Sequence, residues 1–288
     1  MLVIASIAGQ TCNQLWSYAL HCQAHEKLNV PIRYGPLNIH EGIDIKEGAE
    51  LPSHLFGSKK LLEHISARKK GAYRLMHLIK RASQIQRRTI HFLDNWKHLH
   101  WLMHEMGSNE VNLLDYFTFQ GLDQVQGGFI SLHARLGDYE TWRDGKYYRT
   151  PSEYVQLAQD IAQHHNGALV LIHTNEPHHF QDLPPKVQLS NASGPIQDLT
   201  MMAKADIIYG PPSTFSMTAS NIGRTPLKWL IESNWTEAVQ AAKTAEIATG
   251  FYRFNTHSFR DFGSRSEYHV TADIIPPIWS TERIVPGN

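Results

Sequence analysis

The sequence predicts an α/β protein with two Rossmann-like lobes, each built on a parallel sheet. Short apolar runs alternate with stretches in which apolar residues recur every three to four positions, the pattern of strands alternating with helices. Several of the apolar runs end in a polar turn directly before a helical stretch. The chain of 288 residues is longer than most single domains. We therefore place a boundary near residue 125 and expect lobes at 1–125 and 126–288.

The first lobe begins with an apolar run at residues 2–8, which predicts a buried strand. The run is too short for a signal peptide and has no basic segment before it. A polar turn at 9–13 follows. Helical spacing then predicts the first helix through Leu15, Trp16, Ala19 and Cys22, and a second short strand is expected at 30–34.

Residues 59–90 carry ten basic side chains and one acid, Glu63, together with apolar residues at helical spacing. We expect a basic amphipathic helical region here and another helix over about 94–106. Two interpretations of the basic region stay open. It is a solvated face, as basic helices often are, or a contact for an anionic membrane or an acidic glycan.

The second lobe shows the clearest alternation of strands and helices, which predicts a parallel sheet. Thr150 is expected to cap a helix, because Pro151 suits the first helical position and Glu153 can complete a capping box. Strands are expected at 129–134, 168–173, 186–189 and 206–209, and further helices at 196–205 and 213–222.

Composition excludes several classes of protein. The 27 Lys and Arg residues balance 27 Asp and Glu, and this zero net charge argues against a dedicated nucleic-acid binder. No stretch approaches the ~18 apolar residues of a membrane-spanning helix. We expect a cytoplasmic protein, peripheral to a membrane if residues 59–90 make that contact. Cys12 and Cys22 form no disulfide framework and are expected to be reduced.

Eighteen histidines raise the question of a metal site. The adjacent pairs His164–His165 and His178–His179 are expected to diverge on a helix. No H-E-x-x-H motif and no Cys/His ligand spacing occurs in the sequence. We therefore predict no metal site.

Polar segments follow three predicted strands, the position at which open α/β sheets bind ligands. In the turn at 9–13, Gly9 permits close backbone approach and Asn13 offers an amide beside a helix amino terminus, which suits an anion. His133 and Arg135 lie two apart on an extended segment and so point the same way. The planar fork of Arg135 suits a diphosphate, although a structural ion pair with Asp138 explains the same residues.

The third segment, 197–216, contains Asp198 and ends at a new helix. There Ser213 and Thr214 offer hydroxyls and free N–H groups, and Phe215 offers a ring that could stack on a base or sugar. The alternatives are an ordinary strand–helix turn at 9–13 and a capped helix with Phe215 in the core.

These three segments, in this order, resemble the fucosyltransferase superfamily, most nearly the bacterial α-1,2-fucosyltransferases and more distantly the α-1,6- and protein O-fucosyltransferases. Residues 9–19 correspond to the family pattern G-x-G-N-Q-[LM]-x-x-Y-A. The H-x-R-R-x-D pattern is matched by His133, Arg135 and Asp138. The D-L-x-x-M…S-[ST]-F-S pattern is matched by Asp198, Leu199, Met202 and 213–216.

The resemblance implies a GT-B fold, in which two lobes face each other across a cleft, and a metal-independent, inverting transfer of fucose from GDP-fucose to a glycan acceptor. The second lobe would hold the donor and the first would lie on the acceptor side. The implied roles are a β-phosphate clamp for Arg135, guanine or ribose contacts for His133 and Asp198, diphosphate contacts for Ser213, Thr214 and Phe215, and an approach from the other lobe for Gly9 and Asn13. No cofactor beyond the donor substrate is implied.

A catalytic base, if the acceptor needs one, would be Asp138, with Glu140 and Asp144 as weaker candidates. The chain departs from the family at Cys12, where a second glycine is usual, and at Leu136, where a second arginine is usual. Pro212 replaces a common asparagine, and the tryptophan after 213–216 is missing. Two alternatives therefore stay open: a transferase using another nucleotide sugar, and a non-catalytic nucleotide- or sugar-binding module.

Overall fold

A computed structural model describes residues 2–5, 10–29, 32–34, 37, 39–51, 90–93, 110–124, 127–230, 245 and 247–248. The described residues up to Thr118 belong to one compact unit, and those from Phe119 onward belong to a second. Both units contain a parallel sheet, so the predicted α/β class is confirmed. The assignment of an acceptor side and a donor side to the units, and of a cleft, stays a prediction.

The first unit has a three-stranded parallel sheet in the order β2-β1-β4 and a small two-stranded sheet of β3 and β5. Its elements are β1 (Leu2–Ala5), α1 (Thr11–Leu28), β2 (Ile32–Tyr34), β3 (Ile43–Ile45), β4 (Ile90–Leu93) and β5 (Phe117–Phe119), whose last residue is already counted with the second unit. The predicted stripe of α1 is buried, and Tyr18 packs its ring against those of Tyr34 and Phe117. Cys12 and Cys22 are both buried, and neither belongs to a disulfide.

The predicted basic helical region at 59–90 lies outside the described residues except for Ile90. That residue begins β4, so the region does not continue as a helix to its predicted end. The predicted helix at 94–106 also lies outside the described residues. Within the described part of the chain, no helix is both long enough and apolar enough to cross a membrane.

The second unit is a five-stranded parallel sheet in the order β10-β9-β6-β7-β8. Its elements are β6 (Ile130–Ala134), α2 (Pro151–His164), β7 (Val170–Thr174), β8 (Val187–Leu189), α3 (Pro195–Ala203), β9 (Ile207–Gly210), α4 (Thr214–Gly223) and β10 (Leu227–Trp229). The first strand of this unit is β6. The next two strands, β7 and β8, lie on one side of β6, whereas β9 pairs with its other side. The strand order therefore reverses between β6 and β9.

The start of α2 confirms the predicted capping box. The Thr150 hydroxyl accepts the Glu153 amide at 3.3 Å, and the Glu153 carboxylate accepts the Thr150 amide at 2.7 Å. The helix packs Tyr154, Leu157 and Ile161 into a core shared with the central strands. A fixed helix start in turn fixes the length of the segment at 135–150 that joins β6 to α2.

Candidate functional site

The reversal of strand order between β6 and β9 marks where a ligand is expected in such a sheet, at the carboxyl ends of the strands. β6 ends at Ala134 and is followed by Arg135, while β9 ends at Gly210 and leads through Pro211 and Pro212 into α4. The two strands are direct neighbours, with Leu132 opposite Tyr209. The second and third polar segments of the sequence therefore meet at one edge of the sheet.

His133 joins the two sides of this edge. Its Nδ1 lies 2.7 Å from the Ser216 hydroxyl of α4, and its ring centroid lies 5.3 Å from that of Phe215. Burial lowers the pKa of His133 from 6.5 to about 3, with a further lowering by Arg135 and His173 and an opposing effect of Asp198. The imidazole is therefore neutral at physiological pH. Since its folded pKa lies below its unfolded one, its contribution to stability falls as the pH drops from 6.5 toward 3.

Gly210 allows β9 to approach this histidine closely. A Cβ at Gly210 would lie 2.6 Å from the Ser216 hydroxyl oxygen and 3.3 Å from the His133 Cβ. Any side chain there would push Ser216 away from His133. Sequence analysis did not single out this glycine, because the closeness arises from two strands that are separated by more than seventy residues.

Arg135 forms the ion pair that sequence analysis left as an alternative. Its guanidinium lies 3.0 Å from the Asp138 carboxylate, and the Asp138 side chain is 58% exposed. The Arg135 side chain is 18% exposed. Because the carboxylate partner is largely solvated, the pair contributes only about 0–1 kcal/mol to folding, so the stability of the fold does not by itself explain it. The Arg135 guanidinium also lies 5.7 Å from the ring centre of Tyr139. An arginine in this setting can exchange a solvated carboxylate for a phosphate at little cost.

The amino end of α4 supplies the other half of the edge. Ser213 caps the helix by accepting the Phe215 amide at 3.2 Å, and Thr214 is the first helical residue. Phe215 is only partly buried, so part of its ring is accessible, and the alternative of a ring in the core describes it only in part. The Tyr139 hydroxyl donates to the Pro212 carbonyl at 2.6 Å and ties the segment after β6 to this turn.

Asp198, at the amino end of α3, belongs to a chain of hydrogen bonds that sequence analysis missed. The Ser131 hydroxyl lies 3.0 Å from Nε2 of His173, whose Nδ1 lies 2.8 Å from the Asp198 carboxylate. The Ser190 hydroxyl donates to the same carboxylate oxygen at 2.5 Å. Ser131 and His173 are almost fully buried, so this Ser–His–Asp chain has no accessible nucleophile. It fixes the orientation of a carboxylate that is partly exposed.

His173→Phe is expected to lower the free energy of unfolding by about 1–3 kcal/mol, because it leaves the buried Ser131 hydroxyl without a partner. Urea unfolding followed by circular dichroism measures this change. His164→Phe, at an exposed position on the last turn of α2, is the matched control. Equal midpoints for both variants and the native chain would contradict the structural role of the chain of hydrogen bonds.

The remaining predicted site residues lie elsewhere. Asn13 is half-buried in the first turn of α1, whose amino end the Gln10 side chain does not cap. Gly9 lies outside the described residues. Both belong to the first unit, and their predicted approach to the nucleotide stays a prediction. Glu140 and Asp144 are exposed in the segment after β6.

The burial of Leu136 explains why this chain lacks the second arginine of the H-x-R-R-x-D pattern. Its side chain is 2% exposed and packs in the hydrophobic core of the second unit. An arginine at this position would place a charge among apolar side chains. The chain thus keeps one arginine at the edge of the sheet and uses the neighbouring position for packing.

The two adjacent histidine pairs do not diverge as predicted. The ring centroids are 5.0 Å apart in His164–His165 and 4.1 Å apart in His178–His179. The first pair sits at the end of α2, where His165 is no longer helical, and the second on a short 3-10 turn. Neither pair therefore obeys the 100° step of an α-helix on which the expectation depended.

Comparisons with known proteins give matches among solved structures only, since no family model and no curated protein matches the chain. It is similar to the fucosyltransferase NodZ from Bradyrhizobium (14% identity, 78% of this chain, 94% of that chain, TM-score 0.44). It is also similar to the E. coli heptosyltransferase WaaC with ADP-2-deoxy-2-fluoro heptose (7% identity, 80% and 88% coverage, TM-score 0.43). A mutant of Arabidopsis thaliana FUT1 in complex with GDP gives 8% identity, 81% and 71% coverage and a TM-score of 0.48. At these identities, a functional assignment depends on the residues of the site itself.

Proposed function

We propose that this protein is a glycosyltransferase that moves fucose from GDP-fucose to a glycan hydroxyl with inversion and without a metal ion. One observation carries the proposal. At the reversal of strand order, the carboxyl ends of β6 and β9 bring together Arg135, a neutral His133, and the amino end of α4 with Ser213, Thr214 and Phe215. These are the residues that the motif resemblance assigns to the donor.

The chemistry of the reaction fits this set of groups. The acceptor oxygen attacks the anomeric carbon, the bond from that carbon to the phosphate oxygen breaks, and its electron pair leaves with GDP. Negative charge grows on the departing diphosphate. An arginine and oriented N–H groups at a helix amino end can stabilise that charge. Arg135 and the first turn of α4 are the groups of the second unit that we assign to this task.

The proton of the acceptor hydroxyl needs a destination. Asp138 is the nearest candidate by motif, and its carboxylate is exposed and held 3.0 Å from Arg135. When Arg135 turns to the diphosphate, Asp138 becomes available to accept that proton. His133 is a poor base, because burial lowers its pKa to about 3 and so disfavours protonation. We assign it to positioning Ser216 and Phe215 beside the nucleotide.

A non-catalytic binding module is the second candidate, and the buried Leu136 favours it, because the family's second arginine is missing. A module of this kind would keep the Arg135–Asp138 pair and the capped helix but would turn over no donor. A transferase for another nucleotide sugar would keep the phosphate contacts and change only the sugar.

Release of free GDP or UDP from a panel of nucleotide sugars, with calorimetric titration of GDP, tests these alternatives. The proposal expects micromolar GDP affinity and release of GDP from GDP-fucose above the rates for other donors. Preferential turnover of a different nucleotide sugar supports the wider transferase class. Binding without transfer or hydrolysis supports the module. Absence of GDP binding contradicts the proposal as a whole.

A further inference from the structure

Two imidazoles and one carboxylate lie close together in the turn after β7, and the proposed reaction uses none of the three. Glu176 lies just before the 3-10 turn Pro177–His179, which carries His178 and His179. One ligand atom from each of the three residues falls within 4.8 Å of the other two. The His179 Nε2 is 3.1 Å from a Glu176 carboxylate oxygen. Two imidazole nitrogens and one carboxylate oxygen form a donor set suited to zinc and similar ions.

The backbone of the turn is fixed by its own hydrogen bonds. The amide of His179 donates to the Glu176 carbonyl at 3.3 Å, and that of Phe180 donates to the Pro177 carbonyl at 3.1 Å. The Glu176 amide donates to the Thr174 hydroxyl at 3.2 Å. Phe180 is 5% exposed and anchors the turn in the core. The backbone that carries the three ligand side chains is therefore already ordered before a metal ion binds.

The spacing of the ligand atoms suits a tetrahedral ion after small side-chain rotations. Metal–ligand bonds of about 2.0–2.2 Å at tetrahedral angles place ligand atoms about 3.4 Å apart. The contact between His179 and Glu176 is already close to this value, at 3.1 Å. Both histidines are exposed, so His178 can rotate toward the pair without displacing core atoms. Three protein ligands leave a fourth position for water or another ligand.

Glu176 also touches the segment that carries the candidate donor residues. A Cβ at Gly137 would lie 2.7 Å from its carboxylate oxygen, and the Leu136 amide donates to the side-chain carbonyl of Asn175 at 3.4 Å. The carboxylate therefore packs directly on the backbone between Arg135 and Asp138. A change in the charge or position of the Glu176 carboxylate would therefore affect this backbone segment.

We propose that Glu176, His178 and His179 bind a divalent transition-metal ion of the zinc type, at the turn after β7. The proposal differs from the sequence-based prediction of no metal site, which stays a prediction. No step of the proposed transfer uses the ion, and the site stands whether or not the protein is a transferase.

Titration of the tag-free full chain with Co2+, which reports tetrahedral coordination through its visible absorption bands, tests the proposal without any donor. Calorimetric titration with Zn2+ gives the affinity. We expect intense visible bands with Co2+ and a site of 1:1 stoichiometry for Zn2+. Glu176→Gln and His178→Ala are each expected to weaken Zn2+ binding by about tenfold or more. Each removes one of only three protein ligands, and loss of a group that merely supports a ligand already costs about 10–100-fold.

His164→Ala is the matched control, because it removes one member of an adjacent, contacting histidine pair that lies outside the proposed ligand set. It should leave the Co2+ bands and the Zn2+ affinity unchanged. Circular dichroism of each variant checks that the fold is kept. The proposal is overturned if the native chain gives no such bands, or if Glu176→Gln and His178→Ala bind Zn2+ as tightly as the native chain and the control.

Discussion

Arg135→Lys is expected to lower kcat/KM for the donor by about 10²-fold and to weaken GDP binding, although the positive charge is kept. The planar guanidinium can donate two parallel hydrogen bonds to a diphosphate, whereas an ammonium acts as a point charge. Loss of one donor to charge that grows in a transition state costs about 10²–10³ in kcat. Initial rates of GDP release, with calorimetry on GDP, separate the effect on turnover from the effect on binding.

Two further variants are needed to interpret the result for Arg135→Lys. Lys204 follows α3 at the opposite edge of the same sheet, where its backbone carbonyl lies near Gly127. Lys204→Ala removes a positive charge there and is expected to change neither kcat/KM nor GDP affinity. Asp138→Asn frees Arg135 from its carboxylate partner. If Asp138 accepts the acceptor proton, this variant lowers kcat while GDP affinity stays the same or rises. Unchanged turnover in Arg135→Lys would remove Arg135 from the proposed mechanism.

The second unit could be predicted in considerable detail because its signals are local. Thr150 and Glu153 identify the start of α2 within four residues, and the buried strands carry continuous apolar runs. The motif segments also lie directly after strands, so their meeting at one sheet edge follows from the parallel order. The predicted start of the helix at 213 differs by one residue from the observed start of α4 at Thr214, because Ser213 is the cap of that helix.

The features that sequence reasoning missed depend on contacts between distant residues. The strands β3, β5 and β10 have three residues each, too few to show a period. The equally short β2 and β8 lie within longer predicted strands at 30–34 and 186–189. Asp198 meets His173 across 25 positions, and Ser131 meets it across 42. Nothing in the local sequence of either residue signals such a partner. One indirect signal exists. His173 lies near the end of a buried strand, and the neighbouring strand of the sheet carries a predicted site residue.

The carboxyl ends of α3 and α4 approach each other closely at Gly223. Gly223 ends α4, and a Cβ there would lie 1.8 Å from the backbone oxygen of Ala203, the last residue of α3. It would also lie 2.7 Å from the Thr225 hydroxyl oxygen, which donates to that same Ala203 oxygen at 2.5 Å. A backbone atom cannot swing aside as a flexible side chain can. Even a methyl group must therefore separate the two helix ends and disturb a buried hydrogen bond.

Gly223→Ala is accordingly expected to lower the free energy of unfolding by about 3–5 kcal/mol, the sum of overpacking and a disrupted buried hydrogen bond. For a chain of this size the midpoint of thermal unfolding should fall by about 10 °C. Gly194→Ala is the matched control, because a Cβ there meets no atom within 4 Å and the backbone is extended at φ 177°. Its expected cost stays below about 1 kcal/mol. Thermal and urea unfolding followed by circular dichroism measure both variants, and similar midpoints for the two would show that the ends of α3 and α4 are not so closely packed.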